Sequence, residues 1–374
     1  MAGIYIHIPF CKQSCYYCDF YFTTTTKLKE NFIDALHREI ALTKDYLQGE
    51  DIKTIYFGGG TPSLLSADEV TAIINKIGEY HNLSSLEEVT LEANPDDLTP
   101  EKLAELKQTA INRLSIGIQS FFDEDLKWMN RAHNASEANN VVQLAHEAGF
   151  KTLTIDLIYG TPTLTDENWQ ANIDKALSLG VNHISAYALT VEQNTPLAKL
   201  IKQGRYQTTD DDKTSRHFDM LLTAIKKAGW EQYEISNYAK NQNYSIHNTG
   251  YWQGEKYLGL GPSAHSYNLH QRSWNVKNLR TYIDSIAQGQ LSTEVETLTP
   301  DQQFNEYVLT SLRTKWGTDL DTVKSKFGDE LALATKKNAT EFMEKGWLVL
   351  ENNTLFLTDE GKLFADYIAS ELFI

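Results

Sequence analysis

The chain's three cysteines all fall within eight residues, Cys11-Lys12-Gln13-Ser14-Cys15-Tyr16-Tyr17-Cys18. An odd number gathered this tightly does not suit a disulfide framework, which needs pairs and an oxidising compartment. Nor does it suit cysteines kept for packing, which would be buried singly. Thiolates at C-x3-C-x2-C spacing on one short loop can take three corners of a [4Fe-4S] cube and leave the fourth iron open to a small chelating molecule. A zinc ion on the same thiolates, with His7 as a further ligand, is the chemical alternative, and the spacing leaves both open.

A second group of residues could line a pocket. Phe57-Gly58-Gly59-Gly60-Thr61-Pro62 follows a candidate strand, and its glycines allow close approach of the backbone to a ligand. No Gly-Lys-Ser/Thr follows, so this is not a phosphate loop, and a plain tight turn is the competing reading. Glu92, Gln119 and Asp156 stand at the ends of three later strand candidates. In parallel α/β folds ligands sit at the carboxyl ends of strands. Each residue alone could equally be solvated or cap a helix; together they describe a lined pocket.

These residues need a frame to hold them. Short β-branched or aromatic runs predict strands over Gly3–Ile8, Ile52–Phe57, Glu88–Glu92, Arg113–Ile118, Thr152–Ile158 and His183–Leu189. Amphipathic helices lie between them. Leu28, Phe32, Leu36 and Ile40 share one helical face, as do Phe218, Leu222 and Ile225. Ser66-Ala67-Asp68-Glu69 is a capping box, Thr99-Pro100 places a cap before a first-turn proline, and Gly149, Gly180 and Gly229 fall at expected helix ends. Six strand–helix units in series imply a parallel sheet, either doubly wound or curled into a partial barrel. After residue 225 the rhythm breaks: Tyr233–Tyr267, rich in Tyr, Asn, Gly and His, reads as strands and loops covering something. Beyond Thr299 helices return, and Gly346–Leu357 reads as a hairpin turning at Asn352-Asn353, which suggests a small winged-helix-like unit. The expected divisions are 1–225, 226–298 and 299–374.

Composition narrows the function. The formal charge is −16, and acidic residues outnumber basic ones in the winged-helix-like segment too, so a nucleic acid is not the expected partner. No apolar run reaches the ~18 residues of a membrane span, and MAGIYIHIPF carries no basic start or cleavable apolar core, so a cytoplasmic location is expected.

Tyr5-Ile6-His7-Ile8-Pro9-Phe10-Cys11, Cys15-Tyr16-Tyr17-Cys18-Asp19-Phe20, Phe57–Pro62, Ile118-Gln119-Ser120-Phe121 and Asp156-Leu157-Ile158-Tyr159-Gly160 resemble the radical S-adenosylmethionine (SAM) family of oxygen-independent coproporphyrinogen III oxidases and their relatives. The resemblance runs nearly end to end. It implies an α/β fold, a partial (β/α)6 barrel followed by a small α+β winged-helix-like C-terminal domain. It also implies a [4Fe-4S] cluster on Cys11, Cys15 and Cys18 with SAM on the fourth iron. The family's SAM-contacting positions fall on Tyr5, Tyr17, Gly59, Gly60, Thr61, Glu92, Gln119, Arg131 and Asp156. Carboxylates suit ribose hydroxyls or an ammonium group, and a guanidinium suits a carboxylate. An electron passed through the cluster would cleave SAM to methionine and a 5′-deoxyadenosyl radical.

Three departures separate the chain from the oxidase. Phe20 stands where the oxidase has a further cysteine, only four residues precede Tyr5 where the oxidase has a long extension, and His247-Asn248-Thr249-Gly250-Tyr251-Trp252 resembles the H-N-x-x-Y-W signature of the HemW-type haem chaperones. The resemblance therefore implies haem as cargo and haem-requiring acceptors such as respiratory enzymes. It further implies an electron donor such as flavodoxin or ferredoxin, a homodimer and peripheral contact with a membrane. Coproporphyrinogen decarboxylation is the alternative, and a cluster protein without turnover is a third reading. On a loop, His247 could reach haem iron as a neutral imidazole, with Tyr251 and Trp252 against the macrocycle. His265, in Gly259–Tyr267, is the second candidate, with hydrogen bonding in a packed loop as its competing role. His133, His183 and His217 carry no functional assignment.

Overall fold

The computed structural model describes all 374 residues. Six parallel strands pair in chain order: β1 (Ala2–Ile8), β2 (Ile52–Gly59), β3 (Glu88–Ala93), β4 (Arg113–Gln119), β5 (Thr152–Tyr159) and β6 (His183–Ala188). A doubly wound sheet reverses its strand order at a switch point; this one does not. With right-handed crossovers, an unbroken order places every connecting helix on the same face and curls the sheet into a partial barrel. Strand order thus decides between the two architectures that the sequence pattern allowed.

The alternation along each strand is resolved by the same geometry. Ile4, Ile6, Ile8, Ile55, Phe57, Leu91, Leu114, Ile116, Leu153 and Ile155 are buried in one core of 56 residues. The intervening residues, among them Tyr5, His7, Tyr56, Glu92, Ser115 and Asp156, line an interior chamber. Parallel strands covered on both faces usually read as unbroken apolar runs. Here they alternate because one face looks into a polar cavity. The helices are capped where the sequence marks them: Ser66 and Glu69 form the capping box of Ala67–Gly78, and Thr99 accepts from Lys102 N–H ahead of Pro100.

The segment 226–298 extends the barrel's own sheet on both edges. Strands β7 (Glu231–Glu234) and β8 (Asn237–Ala239) add to β6 on one edge. On the other edge β9 (Lys256–Leu260) pairs parallel with β1, followed by antiparallel β10 (His265–Tyr267), β11 (Gln271–Asn275) and β12 (Thr293–Thr297). One twelve-stranded sheet results, and Leu258, Leu260 and Tyr282 join the barrel's own core. Glu39 ties this flank down. From the helix Lys29–Leu42 it accepts hydrogen bonds from Gly261 N (2.7 Å), Asn275 Nδ2 (2.5 Å) and Tyr282 Oη (2.6 Å).

After the helix Pro300–Leu312, β13 (Thr318–Asp319), β14 (Leu348–Glu351) and β15 (Thr354–Leu357) form a three-stranded antiparallel sheet in the order β13–β15–β14. With its helices it encloses a core of 12 residues distinct from the barrel's. The hairpin turns at Asn352 and Asn353, with φ of 48° and 63°, the left-handed pair that matches the strand twist. No helix is long and apolar enough to cross a membrane.

Replacing Glu39 by Ala strands three buried donors. Stability should fall by about 3 kcal/mol or more in urea unfolding. A loss under about 1 kcal/mol would mean that the flank is held by other contacts.

Candidate functional site

The cysteine loop leaves the carboxyl end of β1 and is braced at both ends. Cys11 N–H donates to Thr23 O (3.0 Å) and Tyr16 N–H to Met129 O (3.1 Å), while Asn130 Nδ2 donates to Ser14 O (2.7 Å). The three thiols are free, partly exposed, and open into a cavity of about 530 Å³. Burial pushes the Cys11 thiol up to about 11 and the Cys18 thiol up to about 12, so both are protonated at neutral pH and must release protons to ligate metal. The zinc alternative loses its fourth ligand. His7 Nε2–H donates to Tyr21 O at 2.7 Å, and its Nδ1 lies 3.3 Å from Tyr5 Oη.

Of the expected SAM positions, Tyr17, Gly59, Gly60, Thr61, Glu92, Gln119, Arg131 and Asp156 line the same cavity as the thiols. Tyr5 does not; it faces an adjoining chamber of about 650 Å³ inside the barrel. The glycines have a second reason to be there. A Cβ at Gly60 would lie 2.7 Å from Ile8 O, and one at Gly59, where φ is 102°, would lie 2.6 Å from the His7 ring. They let β2 press against the backbone that enters the cysteine loop. Gln119 ends β4 at φ 64°, a left-handed conformation costing a non-glycine residue about 1–3 kcal/mol and concentrated at ligand sites.

Three buried charges face this cavity. Glu92 accepts from Tyr56 Oη (2.8 Å) and Gly59 N (3.2 Å), and burial raises it to about 7. Asp156 accepts from Ser115 Oγ (3.4 Å) and is raised to about 6, again by burial. Arg131 donates to Asn94 Oδ1 (2.6 Å), Gly117 O (2.9 Å), Tyr17 Oη (3.2 Å) and Cys15 Sγ (3.4 Å). Its Nε is buried without a partner. Two carboxylates that resist ionisation, beside one guanidinium with an unused donor, suit a ligand carrying both a cationic group and a carboxylate. SAM, with its ammonium, sulfonium and carboxylate, has that charge pattern, so the residues fit it. Sequence reading missed Tyr56, Asn94 and Ser115, although the alternation placing Tyr56 and Ser115 on the inner face was present.

The H-N-x-x-Y-W segment does not lie on a loop, which corrects the expectation for His247, Tyr251 and Trp252. It forms the helix Ile246–Trp252 at the amino end of the barrel. Ser245 Oγ, Ile246 N–H and His247 N–H donate to Glu88 at the start of β3, and Glu88 faces Arg113 at 3.4 Å. Both His247 ring nitrogens are engaged, Nδ1 with Thr54 Oγ1 (2.7 Å) and Nε2 with Tyr251 Oη (2.8 Å), and the ring stacks on Tyr56. His247, Tyr251 and Trp252 all line the larger chamber. Thr54 and Gly59 are five residues apart on β2, so this helix lies ~17 Å from the cluster end. His133, His183 and His217 bond to Ile118 O, Tyr233 Oη and Asp166, as packing histidines do.

Three cysteines at the mouth of a partial barrel, beside a pocket lined by two carboxylates and a guanidinium, are the arrangement of a radical SAM protein. The model of the Radical SAM superfamily matches residues 5–176, and that of the HemN C-terminal domain matches residues 298–364. The chain belongs to the HemW family of radical SAM haem chaperones. It is 35% identical to the haem chaperone HemW of Bacillus subtilis, covering 98% of both chains. It is 34% identical to that of Mycobacterium tuberculosis over 99% of this chain and 94% of the relative, and 35% to that of Escherichia coli over 97% of each. The fold matches the Escherichia coli radical SAM coproporphyrinogen III oxidase HemN with a TM-score of 0.85 at 21% identity, over 99% of this chain and 89% of that one.

Replacing any one of Cys11, Cys15 or Cys18 by Ser should abolish the visible iron–sulfur absorption after anaerobic reconstitution; a variant that retains it is not a ligand variant. SAM affinity of the reconstituted protein should rise from pH 6 to 8. Glu92 and Asp156 ionise through about 6–7, and only their ionised forms pair with a cation. Calorimetry on Glu92→Gln should show a weaker and flatter profile, and an unchanged one would remove Glu92 from the site.

Proposed function

We propose that this protein is a haem chaperone that carries a [4Fe-4S] cluster on Cys11, Cys15 and Cys18, binds SAM at the adjoining pocket, and passes haem to haem-requiring proteins such as respiratory enzymes. One geometric observation supports the coupling of cargo and cofactor: the two chambers share Asp19, Phe20, Gly59, Glu92, Ser115, Asp156 and Tyr187 in their walls. Phe20, 67% exposed, stands between them where a fourth cysteine stands in the resembled oxidase. When bound, the cluster and SAM together supply one-electron chemistry at the carboxyl edge of the barrel.

The chain's own residues have separable tasks. Arg131 and Asn94 form the fixed wall that would receive the SAM carboxylate, and Glu92 and Asp156 provide the negative counterpart for its cationic groups. Tyr56 holds Glu92 in place from the neighbouring strand. A bound cofactor at this position changes the wall of the second chamber, and haem release is thereby linked to cofactor state. An electron donor such as flavodoxin or ferredoxin, assembly as a homodimer, a cytoplasmic location and peripheral membrane contact complete the reading.

Reconstituted protein should be titrated anaerobically with haem, and separately incubated with reductant, SAM and coproporphyrinogen III. Stoichiometric haem binding without protoporphyrinogen formation is expected. Decarboxylated product from a chain that does not retain haem would overturn the chaperone reading in favour of the oxidase.

A further inference from the structure

The excess of carboxylates in this chain is not evenly spread. Three segments, 11–18, 127–131 and 195–206, carry six Lys or Arg and no Asp or Glu, in a chain of formal charge −16. In sequence, acidic residues resume at Asp19, Asp125, Glu192 and Asp210. The fold brings the three segments together around the cysteine loop. Tyr16 N–H donates to Met129 O at 3.1 Å, and Tyr16 O accepts from Leu197 N–H at 2.8 Å. Gln13 Nε2 donates to Asn130 O at 3.0 Å. The Tyr206 ring meets Tyr16 edge-on, centroids 5.8 Å apart, and lies 5.2 Å from Trp128.

Two of the six cations are already engaged. Arg131 turns inward to the cofactor pocket, and Lys12 pairs with Asp96 and Asp97. Lys127, Lys199, Lys202 and Arg205 are exposed and form no ion pair. Their positions follow from the contacts just given. Lys127 precedes Trp128, and Arg205 precedes Tyr206. Lys199 and Lys202 lie one turn apart on the helix Pro196–Lys202, whose first turn is tied to Tyr16. Four unpaired cations therefore border the loop that bears the cysteines.

A local positive field on an acidic protein steers acidic partners and repels other copies of the same chain. Anionic lipid is the rival occupant. Surfaces that enter a bilayer interface combine basic with exposed apolar side chains. None of the chain's exposed large hydrophobic residues lies in these three segments, which favours a protein partner. Small, salt-sensitive contacts are also what transient electron-transfer complexes use. Resting on the reading that Cys11, Cys15 and Cys18 hold a cluster, we propose that Lys127, Lys199, Lys202 and Arg205 form the docking surface for a small acidic one-electron carrier protein. Tyr16, next to Cys15 in sequence and in contact with both other segments, joins this surface to the ligand loop. The step served is one-electron transfer: the carrier is oxidised by one electron and the cluster is reduced by one.

The test uses the full-length, cluster-reconstituted protein and flavodoxin as the acidic carrier, both handled anaerobically. Calorimetry should show a complex whose affinity falls about fivefold or more as salt rises from about 20 to 200 mM. Lys199→Glu/Lys202→Glu/Arg205→Glu should weaken binding about tenfold or more. Stopped-flow bleaching of the iron–sulfur absorption by flavodoxin hydroquinone should slow by a similar factor. The same three residues changed to Gln should give a smaller loss in the same direction. Photoreduced deazaflavin, a small reductant that needs no docking, should reduce every variant at rates within about twofold of the unaltered chain. Lys336→Glu/Lys337→Glu, an equivalent reversal on the carboxyl-terminal unit, should leave binding and reduction within about twofold. Retained iron–sulfur absorption and an unchanged melting curve confirm that each variant is folded. If the triple reversal leaves affinity and reduction rate within about twofold, or the unaltered chain does not bind flavodoxin, the docking assignment is wrong while the chaperone reading stands. If these residues instead carry binding to phosphatidylglycerol vesicles and not to flavodoxin, the surface is a membrane contact and the proposal is overturned. If no cluster assembles on the unaltered chain, the cluster reading and this inference fall together.

Discussion

The structure depends on sealing one end of a polar-lined barrel. At its base, Glu88 and Arg113 meet at 3.4 Å with side chains almost wholly buried. A buried ion pair is tolerable only when its remaining donors and acceptors are satisfied, and removing one partner typically costs about 3–5 kcal/mol. Here the helix Ile246–Trp252 supplies what is missing. Its first two backbone N–H groups and the Ser245 hydroxyl converge on Glu88, and Arg113 Nη2 donates to Thr154 Oγ1 at 2.8 Å. An acidic residue at the start of β3 thus acts as the anion at a helix N-terminus. The histidine that follows is drawn into the wall, between Thr54 and Tyr251. The motif thereby closes the base of the barrel while its His247, Tyr251 and Trp252 line the larger chamber.

With the base closed, several strained or under-satisfied groups collect at the opposite end. Glu92 and Asp156 are pushed toward neutrality by burial, Arg131 keeps an unpartnered Nε, Gln119 is held in a left-handed conformation, and the Cys11 and Cys18 thiols are raised. None of these features stabilises the empty chain. Each is relieved by a ligand that brings metal, positive charge and a carboxylate together, so the cost of building the pocket is offset when it is filled. The amino end of the barrel supports folding and the carboxyl end supports binding, the division general to (β/α) barrels.

The flanking strands change what the barrel can hold. By continuing the sheet past β1, strands β9–β11 add Tyr257 and Tyr267 to the aromatic lining of the larger chamber. Glu39 fixes this wall to the first helix through three hydrogen bonds, and Glu306 reaches it from the helix Pro300–Leu312 through Arg272. The carboxyl-terminal unit has its own core, yet it borders the larger chamber through that contact.

The sequence by itself determined the local elements and the chemistry of the cysteine loop. Each of the six barrel strands lies within about a residue or two of where β-branched runs place it, because strand formation follows from period-2 patterning and capping signals within a few residues. Cys11, Cys15 and Cys18 were legible for the same reason: their ligand geometry is set by spacing along one loop. Glu92 and Gln119 were legible as strand-end residues, whereas Asp156, expected at an end, lies three residues inside the end of β5 and reaches the cavity through the strand's alternation. What only the tertiary structure decided depends on contacts distant in sequence. The choice of barrel over open sheet lies in strand order. The membership of 226–298 in the barrel sheet lies in β1–β9 pairing across some 250 residues. The occupation of His247 lies in Thr54, 193 residues away. A histidine's type announces that it can bind iron; the partners its ring nitrogens take up, such as Thr54 and Tyr251 at His247, are contacts that only the fold creates.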